Sequence, residues 1–462
     1  MSGPSRLPGG PAPTLRFTFD GVPLRARVGD TLAAALLANG IGLVARSFKY
    51  HRPRGILSAG IEEPNALVTV GEGGRREPNT RATDVYVYDG LVAHSQNRWP
   101  SLAFDLGAVN GLAARFLTAG FYYKTFFGPP SRWLLYERFI RRAAGLGKAP
   151  AEPDPDPYEH RSAFCDVLVV GGGPAGIAAA RAGVQAGERV LLVEQDRAVC
   201  EAIDGARVLA RTTASGVWDH GFVTLVERLV EPGQRPAPSQ PAQRLWHVRA
   251  RRIVLATGAI ERPLTFAGND RPGVMLSQAV RRYIERFKVL PGQRVVIATN
   301  NDAAYATADA IAAAGGSVVA ILDSRAEKSP VASAAAHPVH TNAFPISTSG
   351  KRHHLHSVEA DIGGERTRFE ADLLAISGGF TPVVHLHSQA GGALDWDEAI
   401  QAFVPGASRQ AVSSVGAAAG DLPPVGIAVA DLPDPKTSFI DFQNDVTAAD
   451  IDLAWAEGYR SV

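Results

Sequence analysis

Cysteine is almost absent: Cys165 and Cys200 are the only two in 462 residues, and no C-x-x-C pair occurs. That scarcity argues against a disulfide framework, a cysteine-held zinc and an iron–sulfur cluster within this chain alone, and against the chemistry of a flavin disulfide reductase. No apolar run reaches the roughly 18 residues that a membrane span needs. The opening stretch, 1–15, is rich in Pro and Gly and has no apolar core segment, so no secretory signal is read and the cytoplasm is the expected location. Charge of one sign is also missing. A formal net charge of +1 implies no general attraction to nucleic acid or to an anionic membrane. With 45% hydrophobic and 20% charged residues, the composition is that of a globular protein, and 462 residues call for two or three domains.

The stretch from Asp166 to Asp196 is rich in meaning. Val167–Val170 is a short apolar strand. Gly171, Gly173 and Gly176 follow in G-x-G-x-x-G spacing, then a helix, then a second strand from Arg189 to Val193 that ends at Glu194. Each glycine has a job: Gly171 for a tight turn, Gly173 for backbone approach to a pyrophosphate, Gly176 for close packing of helix on strand. The helix N-terminus offers unpaired N–H groups and a partial positive charge to phosphates. Glu194 can bond ribose hydroxyls and would repel a 2′-phosphate, which favours NAD or FAD over NADP. The candidate cofactor residues are therefore Gly171, Gly173, Pro174, Ala175, Gly176, Glu194 and Gln195. To these are added Ala256, Thr257 and Gly258, a small-residue turn closing a strand in ATGAIERP. A structural βα turn without ligand is the plain alternative.

The predicted order along the chain is a disordered tail over 1–14, a small β-rich domain over 15–95, an aromatic interface segment and linker over 96–160, a nucleotide-binding region over 161–430, and a C-terminal segment over 431–462. In the first domain, Leu15–Phe19 and Leu24–Val28 read as a hairpin. A helix capped by Asp30 or Thr31 runs to Ala38, and Ala66–Val70 and Val85–Asp89 read as strands. This is the order of a ferredoxin-like β-grasp. The loop SFKYHRPRGILSAG (47–60), where such a domain would carry cluster cysteines, has none and is basic. It reads as a solvated or interface loop, or as a contact for a phosphate or an acidic partner. The aromatics of Phe116–Phe139 read as interface packing. Leu245–Val248, Arg252–Ala256 and Leu373–Ile376 are predicted strands. A second βαβ unit starts at Arg294, but its turn, Thr299 to Ala304, has no glycine and carries Asp302, so it reads as mainly structural. Gly406–Ala430 is rich in Ala and Gly, only faintly like the terminal region that covers a dinucleotide in flavoproteins. Asn444 or Asp445 is N-cap-like ahead of a short helix over Ala448–Ala456. His220, His385 and His387 have no convincing partner spacing. No catalytic acid, base or nucleophile and no metal ligand is assigned. The fold class is α/β: a Rossmann-like FAD/NAD(P)-binding fold with an N-terminal cysteine-free ferredoxin-like β-grasp domain.

Six stretches together, SFKYHRPRGILSAG, VVGGGPAGIAAARAG, RTTASGVWDH, VLATGAIERPLTFAGNDRPGVML, ATNNDAAYATA and FIDFQNDVTAADI, resemble the α subunit of heterotetrameric sarcosine oxidase across almost the whole chain. The resemblance implies NAD bound in the region beginning at Gly171, with FAD as the alternative, and no iron–sulfur cluster or metal in this chain. It also implies partner β, γ and δ subunits, with flavin chemistry in β, and neither nucleic acid nor membrane as a partner. Sarcosine would be oxidised to glycine, with the one-carbon unit passing to tetrahydrofolate on an aminomethyltransferase-like domain. That domain is expected to begin where this chain stops. A second departure is the short join from Glu194 to Arg207, near the lower limit for a parallel crossover. A third is a shortened, alanine-rich region after Trp396. Two other readings stay open: a stand-alone FAD-dependent oxidoreductase, and a decayed non-catalytic scaffold.

Overall fold

The computed structural model describes residues 4–116, 133–138, 147–197, 199, 201–351, 353–426 and 432–460. The chain packs as two compact units, one made of Met1–Pro153, Pro263–Gly378 and Gly426–Val462, the other of Asp154–Arg262 and Gly379–Val425. These units cut across the linear division expected above, because the second is inserted into the first and receives its last strand from far along the chain.

The first unit holds two five-stranded sheets over one continuous core. Its small sheet runs in the order Val22–Ala26, Leu15–Phe19, Leu91–Ser95, Leu67–Val70, Glu77–Arg81. Leu15–Phe19 lies antiparallel to its hairpin partner and parallel to Leu91–Ser95. Helix Leu32–Ala38 covers this sheet. Thr31 caps it by accepting from the Ala34 N–H, and every residue from Leu32 to Leu37 is buried. The expected strand Val85–Asp89 is not formed. Val85 accepts from the Leu32 N–H and Val87 donates to the Asp30 carbonyl, so this stretch secures the helix entry and the strand begins later, at Leu91. The tail expectation is corrected as well. Ser5–Arg6 pairs antiparallel with Val289–Leu290, and Arg6 clasps Asp30 at 2.6 and 3.1 Å.

The second sheet of this unit is five-stranded and parallel, in the order Val274–Leu276, Leu373–Ser377, Arg294–Thr299, Ser317–Asp323, Val339–Thr341. Its central strands are continuous apolar runs, as burial on both faces requires. Helix Ala448–Ala456 also forms, but Thr447 caps it, in a reciprocal box with Asp450. The expected cap residue Asp445 has another task, given below.

The second unit is a sheet in the order Arg207–Leu209, Val190–Val193, Tyr158–Val170, Gln243–Leu255, Phe222–Arg228, Thr212–Trp218. Leu245–Val248 and Arg252–Ala256, expected as two strands, are parts of one, since Gln243–Leu255 stays paired with Tyr158–Val170 along its length. Beyond Ala250 its other edge takes a new parallel neighbour, Val412–Ser414. Alternation sorts the central strand: Val167 and Val169 pack with Ile177 and Ala180 of helix Pro174–Gln185, while Leu168 and Val170 face the opposite core. Among the described residues, no helix is long and apolar enough to cross a membrane. Most of the aromatic segment, residues 117–132 and 139, and Cys200 lie outside the described residues.

Candidate functional site

Four neighbouring parallel strands of the second unit, Val190–Val193, Tyr158–Val170, Gln243–Leu255 and Val412–Ser414, end on one edge of the sheet. The carboxyl edge is where open α/β sheets bind ligands. The glycine turn leaves the second of these strands. Gly171 has φ +109, and a Cβ there would run into the Ala256 carbonyl oxygen. A Cβ on Gly176 would run into the carbonyl oxygen of Gly171, so the helix can sit this close to the turn only without a side chain. Gly176→Ala is therefore expected to destabilise this unit by about 1–3 kcal/mol, read from its denaturant midpoint. Gly173 differs. It is the helix N-cap, and nothing lies within 4 Å of an added Cβ. That open face is what backbone approach to a pyrophosphate needs. Pro174 occupies the first helical turn, where its missing N–H is no loss.

Glu194 ends strand Val190–Val193 and turns back over the glycine turn. Its carboxylate accepts from the Gly172 N–H at 2.5 Å and from the Asp196 N–H at 2.8 Å. Each oxygen keeps a lone pair for a ribose hydroxyl. Arg197, which could otherwise greet a 2′-phosphate, is engaged by the buried Glu231 at 2.7 Å. Gln195 is exposed beside it. The join over 195–206 forms no helix among its described residues. Instead Ile203, with Val199 and Ala206, fills the helix-side core, and Arg207–Leu209 pairs directly with Leu191–Val193. The short crossover is thus completed by apolar side chains where a helix would otherwise pack. Ala256 donates to the Val170 carbonyl, and Thr257 Oγ1 donates to the Val383 carbonyl at 2.8 Å, which fixes the Ala256–Gly258 turn beside the glycine turn. All the sequence-selected residues therefore gather at one sheet edge.

The second βαβ unit, in the first compact unit, is filled by its own chain. Asn301 Oδ1 accepts from the Ala303 N–H, so a side chain takes a helix-start amide. The buried Asp323 accepts from Tyr305 Oη at 2.7 Å, and Arg325 bridges Asp323 and Asp302 at 2.7 and 2.6 Å. The Gly426 N–H donates to the Asn300 carbonyl across the turn. These acids hold the Arg325 guanidinium above its ordinary pKa, through hydrogen bonds to Asp323 against the cost of burial.

The basic loop proves to be internal. Arg54 is 1% exposed and sits between Asp270, at 3.0 Å, and Asp445. Arg52 grips Asp270 in a fork at 2.6 and 2.8 Å. Asp445 also accepts from the Lys49 and Tyr50 N–H groups, and both arginines stack on Phe439. Burial works against the Asp270 carboxylate, but Arg54 and Arg52 outweigh it and hold its pKa below the usual range. His51 bonds Asp105 at 2.7 Å, and Arg46 donates to the Leu102 carbonyl. The expectation of a solvated loop is corrected: its charges are met by acids remote in sequence. Of the three singled-out histidines, His387 is buried and bonds the Ala393 carbonyl, and no group of three or more metal-ligating side chains occurs among the described residues.

Residues 12–98 match the family described as a 2Fe-2S iron-sulfur cluster binding domain, 166–199 that of FAD dependent oxidoreductases, and 435–462 the sarcosine oxidase A3 domain. The first match corrects both the expected cysteine-free β-grasp class and the expectation of no iron–sulfur cluster: by type, this is a 2Fe-2S binding domain. The cysteine count misled because a domain's type is carried by its topology and core pattern, not by its ligands alone. The donor set does not fit its type, since thiolates hold such clusters and both cysteines lie outside 12–98. The sarcosine oxidase subunit alpha of Rhizobium meliloti (strain 1021) is 45% identical over 97% of this chain and 52% of its own length. That of Corynebacterium sp. (strain U-96) is 34% identical over 97% of this chain and 50% of its own length. The chain thus spans about half the length of the curated relatives it matches. In fold it is similar to L-proline dehydrogenase from P. horikoshii, with TM-score 0.65 and 18% identity over 96% of this chain and 85% of that one.

Proposed function

The chain belongs to the sarcosine oxidase α-subunit family, and from that membership we propose that it is the dinucleotide-binding part of a sarcosine-oxidising complex. The observation that supports this most is the gathering of the open Gly173 face, the Glu194 carboxylate and the Ala256–Gly258 turn on one carboxyl edge. In this reading the adenosine ribose of NAD bonds Glu194, and its pyrophosphate lies against the N–H groups of Gly173, Ala175 and Gly176. A bound nicotinamide or flavin supplies hydride transfer. The protein's own part is to bind and orient the dinucleotide and to keep a 2′-phosphate out. Amine oxidation belongs to a partner β subunit in an assembly with γ and δ subunits. One-carbon transfer to tetrahydrofolate is not assigned to any residue of this chain. A second reading, a FAD-dependent oxidoreductase acting by itself, is favoured by the FAD dependent oxidoreductase match over 166–199.

The visible absorbance of the purified chain, with mass spectrometry of what denaturation releases, separates the two. NAD without flavin supports the α-subunit reading, and stoichiometric FAD the second. An empty chain that also fails to take up added NAD or FAD defeats both. Gly173→Ala should weaken ADP binding at least ~ten-fold by crowding the pyrophosphate, with the melting temperature unchanged because the added methyl meets no protein atom. Unaltered ADP affinity in a calorimetric titration would count against the site.

A further inference from the structure

We infer that the loop Leu57–Ala66 is a carboxylate receptor: a ring of four backbone N–H groups that this chain fills with its own Glu63 side chain, and that takes a free carboxylate of formate size once that side chain is removed. The ring is built from both ends of the loop. The Leu57 and Ser58 N–H groups donate to Glu63 Oε2 at 2.9 and 2.6 Å, and the Asn65 and Ala66 N–H groups donate to Oε1 at 2.8 and 3.0 Å. Each oxygen is met by donors on two adjacent residues, the arrangement with which a backbone nest captures an anion. Glu63 is 1% exposed, and among the described residues no cation pairs with it. Backbone dipoles answer its charge. A glutamate is a carboxylate on a short tether, so what the donors recognise is the carboxylate group and not the stem.

The ring does not depend on Glu63 to keep its shape, because its carbonyls are held from elsewhere in the fold. The Leu57 carbonyl accepts from the Leu276 N–H at 2.8 Å, and that of Ala66 from the Ala82 N–H at 2.9 Å. The Ser58 carbonyl accepts from Tyr283 Oη at 2.9 Å, and that of Gly60 from Thr83 Oγ1 at 2.6 Å. Leu276 ends strand Val274–Leu276 of the parallel sheet, and the buried Tyr283 lies on helix Ser277–Glu285. With the carbonyls tied outward to these partners, the N–H groups stay turned inward when the side chain is gone. An emptied ring is then a set of buried donors without acceptors, and an anion that reaches them gains charge-assisted hydrogen bonds already in place.

The test uses the full chain with Glu63→Gly, which clears the tether, and follows thermal unfolding as sodium formate, acetate or chloride is added at matched ionic strength. Formate can set its carbon and two oxygens where Cδ, Oε1 and Oε2 stood. The methyl of acetate would fall at the place of Cγ, inside van der Waals contact of the backbone at position 63. The variant by itself should melt below the wild type. Formate should restore at least about half of that loss and saturate, acetate should restore less, and chloride no more than it gives the wild type. The wild type and Glu63→Leu, whose rings are filled by a side chain, should gain nothing from formate beyond the chloride control. Should Glu63→Gly not fold unaided, refolding from denaturant is the readout, and formate should raise the refolded yield at least ~five-fold over chloride. Recovery by formate no greater than by chloride, on either readout, overturns the assignment. So does an equal gain from acetate, or an equal gain in Glu63→Leu.

Discussion

Arg54→Met will lower the stability of the first unit by about 3–5 kcal/mol, the cost of leaving a buried charge without its partner. Arg54 lies between Asp270 and Asp445, which are 2% and 0% exposed. Arg52 still reaches Asp270 after the substitution. Among the described residues, Asp445 keeps the Lys49 and Tyr50 N–H groups. The loss should be read from the denaturant unfolding of the full chain, followed by a probe in the first unit, since the two units need not melt together. Arg54→Met combined with Asp445→Asn should recover part of it, because the amide removes the uncompensated charge while its oxygen can still accept from the Lys49 and Tyr50 N–H groups. A single variant within 1 kcal/mol of the wild type, or a double variant worse than the sum, would show that the pair does not hold the loop.

Glu63→Leu is the second large effect, about 3 kcal/mol or more. The Glu63 carboxylate is 1% exposed and accepts from four backbone N–H groups, those of Leu57, Ser58, Asn65 and Ala66, at 2.6–3.0 Å. Leucine leaves these four donors without acceptors in a closed loop, and each unsatisfied group costs about 1–3 kcal/mol before relaxation. The pH dependence has a definite sign. Burial pushes the Glu63 pKa up to about 7, against the lowering effect of the four N–H bonds. The unfolded chain therefore gives up this proton at lower pH than the folded one. The stabilising share of Glu63 is complete below the unfolded carboxyl pKa and is lost as pH rises through about 7. Stability measured from pH 4.5 to 8 should carry this downward component, and the leucine variant should lack it. Identical pH profiles for the two proteins would refute the assignment.

Local pattern was enough for elements whose partners are near in sequence. Helix Leu32–Ala38 with its Thr31 cap, the Leu15–Phe19 hairpin and both βαβ units follow from apolar periodicity and turn residues within about 30 positions. The glycine turn was legible from its contiguous spacing, but the reason differs at each position: Gly176 avoids the Gly171 carbonyl within the motif, Gly173 leaves an open face, and Gly171 avoids the Ala256 carbonyl, a partner distant in sequence. Where the partner is distant, the reading failed. Val85–Asp89 has strand-like composition, yet its backbone bonds go to the helix start. Asp445 looks like a cap residue, yet it neutralises an arginine 391 positions earlier. Gly406–Ala430 is Ala/Gly-rich with no periodicity, and only the pairing of Val412–Ser414 with Gln243–Leu255 places it beside the carboxyl edge of that sheet.

The sequence by itself therefore determined the family, the α/β class and the nucleotide motif, because these are written in contiguous spacing that a local backbone must obey. Tertiary structure alone decided which charges are buried against partners and which face water. A basic loop and two acids cannot declare from composition whether they meet water or each other. Burying Arg54, Asp270 and Asp445 together is tolerable only because the fold brings all three within hydrogen-bonding reach.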